Sequence, residues 1–147
     1  MLSVEDVEKT FIRAFPNYTP YDYQIRCWEK ILNLQGGKGL FIEAQTAGGK
    51  TEAAVMPFFA SMMKGPEHLG ILGRRLIYIM PTRSLAEAMR RRLEDLNQGL
   101  KLGLSIKVDH GATAKPSPMF FGDVIITTWD SFLYGMCASR VVGYRYD

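Results

Sequence analysis

The stretch Ala44-Gln45-Thr46-Ala47-Gly48-Gly49-Lys50-Thr51 constrains this chain more than any other. An apolar run, Leu40-Phe41-Ile42-Glu43-Ala44, leads into it and reads as a strand, and a helical pattern continues from Lys50 to Met63. Gly48 and Gly49 let the backbone curl and approach a ligand with no Cβ in the way. Backbone N–H groups then converge at the start of a helix, where they satisfy phosphate oxygens. Lys50 adds a point charge suited to the β and γ phosphates, and the Thr51 hydroxyl can ligate Mg2+. The segment matches the phosphate-loop pattern except that Ala44 stands in place of its first glycine, where only a small residue leaving the strand is needed.

The rest of the chain supplies the other elements of an α/β domain. Ser3 with Asp6 forms a capping-box pattern ahead of Val4, Val7, Phe11 and Phe15 at helical spacing, and Pro16-Asn17-Tyr18-Thr19-Pro20 stops that helix. A second helix starts near Asp22, with Ile25, Trp28, Ile31 and Leu32 on one face, and Gly36-Gly37-Lys38-Gly39 breaks the chain after it. Strands are predicted at Arg75–Met80, Leu104–Val108 and Asp123–Thr127. A charged helix over Ser84–Leu96 turns Leu85, Met89, Leu93 and Leu96 inward, and a short helix covers Asp130–Cys137. Ala112–Gly122, with Pro116 and Pro118, reads as a loop within the domain. Strands alternating with helices predict an open parallel sheet in three layers.

Composition narrows the class of protein. Of 147 residues, 47% are hydrophobic and 22% charged, which supports one packed domain and argues against disorder. The formal charge of +3 is compatible with a nucleic-acid partner without requiring one. Cys27 and Cys137 form no CxxC pair, so a disulfide framework or zinc site is not expected; two buried free thiols in a reducing cytosol are. The N-terminus lacks the basic start and apolar run of a signal peptide. The most apolar stretch, Ala53–Met63, is too short to span a bilayer. A cytoplasmic protein with no membrane segment is expected. His68 and His110 offer no metal pattern, and Asp109-His110 reverses the order of the His-Asp nuclease signature.

Taken in order, Tyr21-Asp22-Tyr23-Gln24, the phosphate loop, Pro81-Thr82-Arg83-Ser84-Leu85-Ala86 and Ile126-Thr127-Thr128 resemble the first RecA-like domain of superfamily 2 helicases. The resemblance covers nearly the whole chain, and Pro57 resembles a proline found in the same helix of many DEAD-box proteins. Within the superfamily, Gly49-Lys50-Thr51-Glu52-Ala53-Ala54 and Ile125-Ile126-Thr127-Thr128-Trp129-Asp130 look most like the helicase of type I CRISPR interference. The resemblance implies an ATP-binding, nucleic-acid-dependent motor. It makes residues 1–39 a helical region carrying the adenine-reading Q motif, and residues 40–147 a sheet core up to motif Ib.

The same resemblance implies the site roles. ATP with Mg2+ would be held by Tyr21, Gln24, Thr46, Ala47, Gly48, Gly49, Lys50, Thr51 and Glu52, with Lys50 and Thr51 as the catalytic pair and Thr51 as the Mg2+ ligand. Gln24 occupies the position that grips adenine, since an amide can donate and accept at once; Tyr21 could stack on the base. Single-stranded nucleic acid, DNA favoured over RNA, would run along Pro81, Thr82, Arg83, Thr127 and Thr128. The strand-to-helix turn at Pro81-Thr82-Arg83-Ser84 suits phosphate, and it is equally an ordinary turn with Ser84 as helix cap. Gly111 sits where the family often has a nucleic-acid loop. The family usually carries proline where Trp129 stands. Trp129 could stack on a base, and a core position is the preferred reading. Arg90-Arg91-Arg92 spread around one turn and read as a solvated face.

The family's hydrolysis step uses an Asp-Glu pair on a later strand, and no Asp-Glu dipeptide occurs in these residues. The expectation is therefore an incomplete domain that binds ATP without turning it over and that works with a second RecA-like domain in the full-length protein. A strand absent from inside the sheet would leave an apolar edge unpaired and favour self-association. A phosphate-loop kinase and a non-catalytic nucleotide-binding module are the alternatives.

Overall fold

The computed structural model describes residues 1–65, 67, 72–109 and 122–133. The chain divides into two compact units, Met1–Arg74 and Arg75–Asp147.

The first unit is helical. Helix α1 (Val4–Ala14) begins where the sequence marks it: Asp6 N–H donates to Ser3 Oγ, and Ser3 N–H donates to Asp6 Oδ2. It ends at Phe15, just before the proline-flanked turn. Helix α2 (Asp22–Leu32) and helix α3 (Lys50–Lys64) come next, and both α1 and α2 pack on α3. Helix α3 is apolar around most of its circumference. Ala53, Val55, Met56, Phe58, Phe59 and Ala60 are all buried, as expected of a helix enclosed on several sides. It runs through Pro57, which has no N–H to give the Ala53 carbonyl. Val7, Phe11 and Trp28 close the core between the helices, the Phe11 and Trp28 rings tilted at 5.8 Å. At the far end of α3, Lys64 Nζ reaches Asp6 Oδ2 at 2.8 Å and the Met1 carbonyl at 3.0 Å. The hydrogen bond from Lys64 and that from the Ser3 backbone hold the Asp6 carboxyl far below the usual carboxylate range.

Leu40–Ala44 belongs to no strand, contrary to expectation. Its exposure still alternates, with Phe41 and Glu43 outward and Leu40, Ile42 and Ala44 half-buried. The period-2 pattern is therefore present without the hydrogen-bonded neighbour that makes a strand. Phe41 is left 87% exposed.

The second unit is an α/β layer. Strands β1 (Leu76–Met80), β2 (Ile106–Asp109) and β3 (Val124–Thr128) form a parallel sheet in the order β1-β3-β2, and helix α4 (Arg83–Leu100) packs against all three. Register pairs Met80 with Thr128 and Asp109 with Thr127. The central strand, β3, is buried at all five residues, as its continuous apolar start foretells. On α4 the buried stripe is Ala86, Met89, Leu93, Leu96 and Leu100 at alternating three- and four-residue steps. Ala86 opens that stripe; Leu85, expected inward, is exposed. Thr82, not Ser84, caps the helix, its Oγ1 accepting from Leu85 N–H. Asn97 exchanges two hydrogen bonds with the Leu104 backbone and so sets the return into β2. Asp123 gathers the strand starts: its carboxylate accepts from Ser105 N–H and its carbonyl from Leu76 N–H. Arg90 is tied to Glu87 and Glu94 on its own helix, in keeping with a solvated face. Cys27 is a half-buried free thiol rather than a buried one. His68, His110, Gly111, most of the 112–122 loop and Cys137 lie outside the described residues.

Asp6→Asn should cost about 1 kcal/mol at pH 7, because a charged tie and part of a helix cap are weakened. The Asp6 carboxyl is ionised more readily in the folded than in the unfolded chain, so this stability is present above about pH 3.9 and fades as pH falls below it. Denaturant midpoints of both proteins across pH 2–7 check this, the gap closing on the acid side. The exposed Phe41 ring should drive concentration-dependent association, which Phe41→Ser reduces; light scattering reads it.

Candidate functional site

The shape of the phosphate loop rests on the backbone geometry around two glycines. Gly48 N–H donates to the Gln45 carbonyl at 3.0 Å, closing a tight turn, and a Cβ on Gly48 would lie 2.8 Å from that same carbonyl oxygen. Gly49 caps α3 in the left-handed region with φ of 75°, and a Cβ there would strike Gln24 Nε2. Ala47 also takes a positive φ, 60°, which is strained for a residue with a side chain. The first intrahelical bond runs from Ala53 N–H to the Gly49 carbonyl. The N–H groups of Lys50, Thr51 and Glu52 thus precede the first intrahelical donor, Ala53 N–H, at the positive end of a fifteen-residue helix. Thr46 and Lys50 are exposed, and Thr51 is almost buried in the first turn. This is a cradle of backbone donors with room where side chains would otherwise stand, and it fits a chain of phosphates.

Helix α2 holds this cradle by its carbonyls. Gln24, 2% exposed, donates from Nε2 to the Gly49 carbonyl at 2.9 Å while its Oε1 accepts from Tyr21 N–H at 2.8 Å. Tyr23 Oη donates to the Gly48 carbonyl. Trp28 Nε1 donates to the Glu52 carbonyl at 3.2 Å. Burial, helped by Cys27 and Glu52, pushes the Tyr23 phenol up from its ordinary value, so at neutral pH it keeps the proton it donates. Glu52 itself is half-buried in the first turn of α3, its Oε2 3.6 Å from where a Gly49 Cβ would stand. Tyr21 is 60% exposed, and its ring stacks at 6.1 Å and 15° on that of Tyr23. Sequence reasoning singles out Tyr21 and Gln24 and misses Tyr23 and Trp28 as loop-holding residues. The signal is there: Gln24 and Trp28 are four apart on one helix face, and each has a donor at the end of its side chain.

A second group of candidates lies at the C-terminal edge of the sheet. Pro81, Thr82 and Arg83 leave β1 exposed, with Thr82 Oγ1 occupied as cap acceptor but its O–H still able to donate. Thr127 is fully enclosed and Thr128 nearly so, because β3 is the central strand; Thr128 Oγ1 accepts from Ser131 N–H. Trp129 reverses the preferred core reading. It is 56% exposed and stacks on Phe132. Among the described residues no cluster of His, Cys, Asp and Glu could hold a metal, and no helix is long and apolar enough to cross a membrane.

Comparison with known proteins agrees with this layout. The family described as DEAD/DEAH box helicase matches residues 21–143, from the start of α2 through all three strands. The CRISPR-associated helicase Cas3 of Thermoproteus tenax is 36% identical over 110 residues. That alignment covers 72% of this chain and 19% of the relative, so the chain spans about one fifth of the length of the protein it matches.

The brace on the loop makes a checkable claim. Gln24→Ala should cost about 1–3 kcal/mol, since two part-buried hydrogen bonds are lost, to Tyr21 N–H and to the Gly49 carbonyl. Gln24→Glu should cost at least as much at pH 7, because a carboxylate faces the Gly49 carbonyl with no proton to donate. Urea denaturation measures both.

Proposed function

The chain belongs to the DEAD/DEAH box helicase family, with its RecA-like α/β fold, and on that premise we propose that it is the ATP-gripping part of a nucleic-acid-dependent motor. The observation that carries the reading is the glycine cradle at the start of α3, held open by side chains of α2. Backbone N–H groups from Gly49 to Glu52 would take the phosphate oxygens. Lys50 would lie against the β and γ phosphates, and Thr51 would supply a hydroxyl to Mg2+. The exposed Tyr21 ring would take the base by stacking. Gln24 has one amide hydrogen beyond the bond to Gly49, which would be its donor to adenine. Mg2+ would neutralise charge on the phosphates when bound.

Nucleic acid would be held at Pro81, Thr82 and Arg83, by contacts to phosphate that carry no sequence information. We take CRISPR interference as the setting on the likeness to the Thermoproteus helicase, and single-stranded DNA as the polymer and the cytoplasm as the compartment on the motif resemblance alone. The Asp-Glu pair of the family's hydrolysis step is not among these 147 residues. Binding without turnover is therefore the activity assigned to this stretch alone, with a second RecA-like domain completing the motor.

Thermal melting tests the reading. Mg-ATP at 100 times its Kd should raise the melting temperature by roughly 5–10 °C. Lys50→Ala should abolish that rise while leaving the melting temperature without ligand unchanged. An unchanged melting temperature with Mg-ATP would make this a non-catalytic module that keeps the loop as scaffold. Turnover above background that Lys50→Ala removes would overturn the binding-only assignment.

A further inference from the structure

The backbone leaves β3 through Thr127 and Thr128 and delivers Trp129 to the surface. An indole is among the costliest side chains to leave in water, and here more than half of it is. The ring is nonetheless ordered by a neighbour: it lies 6.1 Å from the Phe132 ring and 19° from parallel to it. The indole therefore has a near-parallel aromatic neighbour, and more than half of the residue faces solvent. Register places the neighbouring exit beside it. Met80 pairs with Thr128 at one strand spacing, about 4.8 Å, so Pro81-Thr82-Arg83 leaves the sheet at the strand next to the one that Trp129 follows, with Arg83 exposed. Both exits are at the carboxyl ends of parallel strands, the edge at which open α/β sheets bind ligands.

We propose that Trp129 is a base-stacking platform: a nucleobase of a single strand lies on its indole while Thr82 and Arg83 hold adjacent phosphates. This rests on the nucleic-acid reading above and adds a contact to it. The chemistry separates the two exits. Asp130, exposed next to Trp129, repels phosphate and leaves the aromatic face to an uncharged ring, whereas Arg83 attracts the phosphodiester. Stacking of this kind accepts every base, since each has a π-face, which suits a motor that must move along any sequence. The proline usual at this position in the family has no such face. Backing by Phe132 keeps the indole in one orientation and lowers the entropy lost when a base settles on it.

Tryptophan emission tests this directly, because the chain has two tryptophans and the other, Trp28, is fully buried. Acrylamide quenching therefore reports Trp129. An oligothymidylate should shield it from quenching, and an abasic oligomer of the same length should not. Trp129→Ala should weaken oligothymidylate binding about tenfold and leave abasic binding and the salt slope unchanged, while Trp129→Phe retains most of the affinity. Arg83→Ala should weaken both oligomers. Should Trp129→Ala bind oligothymidylate as tightly as wild type while Arg83→Ala weakens both, the stacking is wrong and the nucleic-acid interface stands; the exposed aromatic pair then belongs to a protein contact. Should wild-type protein bind neither oligomer, the nucleic-acid reading fails and takes this proposal with it.

Discussion

A phosphate loop must keep its N–H groups unpaired inside the protein, and a backbone with unpaired donors has little of its own to hold it in shape. In this chain the shape is imposed from the carbonyl side. Gln24, Tyr23 and Trp28 each donate to a carbonyl at Gly48, Gly49 or Glu52, so the loop and the first turn of α3 are anchored through their oxygens. The two glycines are needed for the same reason. At Gly49 a side chain would occupy the space through which the Gln24 amide reaches the backbone. The positive φ at Ala47 is strain that this bracing sustains, whereas Gly49 adopts its own without cost.

The second unit depends on a different constraint, the burial of β3. As the middle strand it is paired on both sides, and its five residues are enclosed. That decides which residues at the sheet's carboxyl edge are available to a partner. Thr127 and Thr128 belong to the core, and the surface is made by the residues just past the ends of β3 and β1. The Thr-Thr of the motif is thus enclosed, and the exposed residues beside it are Trp129 and Asp130 on one exit and Thr82 and Arg83 on the other.

Much of this was legible before any coordinates. Short-range rules decide helix starts and loop turns, so the Ser3–Asp6 box, the glycine turn at 48–49 and the α4 stripe could be read directly. Where reading failed, a distant partner was responsible. Leu40–Ala44 has strand composition and strand alternation, yet strand formation depends on a neighbour, and none is bonded to it. Leu85 and Ala86 differ by one helical position, and only the packing against the sheet shows which of them opens the buried stripe. Trp129 is apolar enough for a core, and its exposure results from its place just past the end of β3.

Residue type and local spacing carry the family, the glycine turn of the phosphate loop and the order of the helices and of the three strands that pair, because each of these is a local pattern. The tertiary structure decided the rest. It showed that Gln24 is bonded to the loop, that Tyr23 and Trp28 share the work, and that Trp129 rather than Thr127 meets solvent. The physical reason is the same in each case. Hydrogen bonds between residues far apart in the chain, and burial by a neighbouring strand, depend on where other elements come to lie, and no local pattern encodes that.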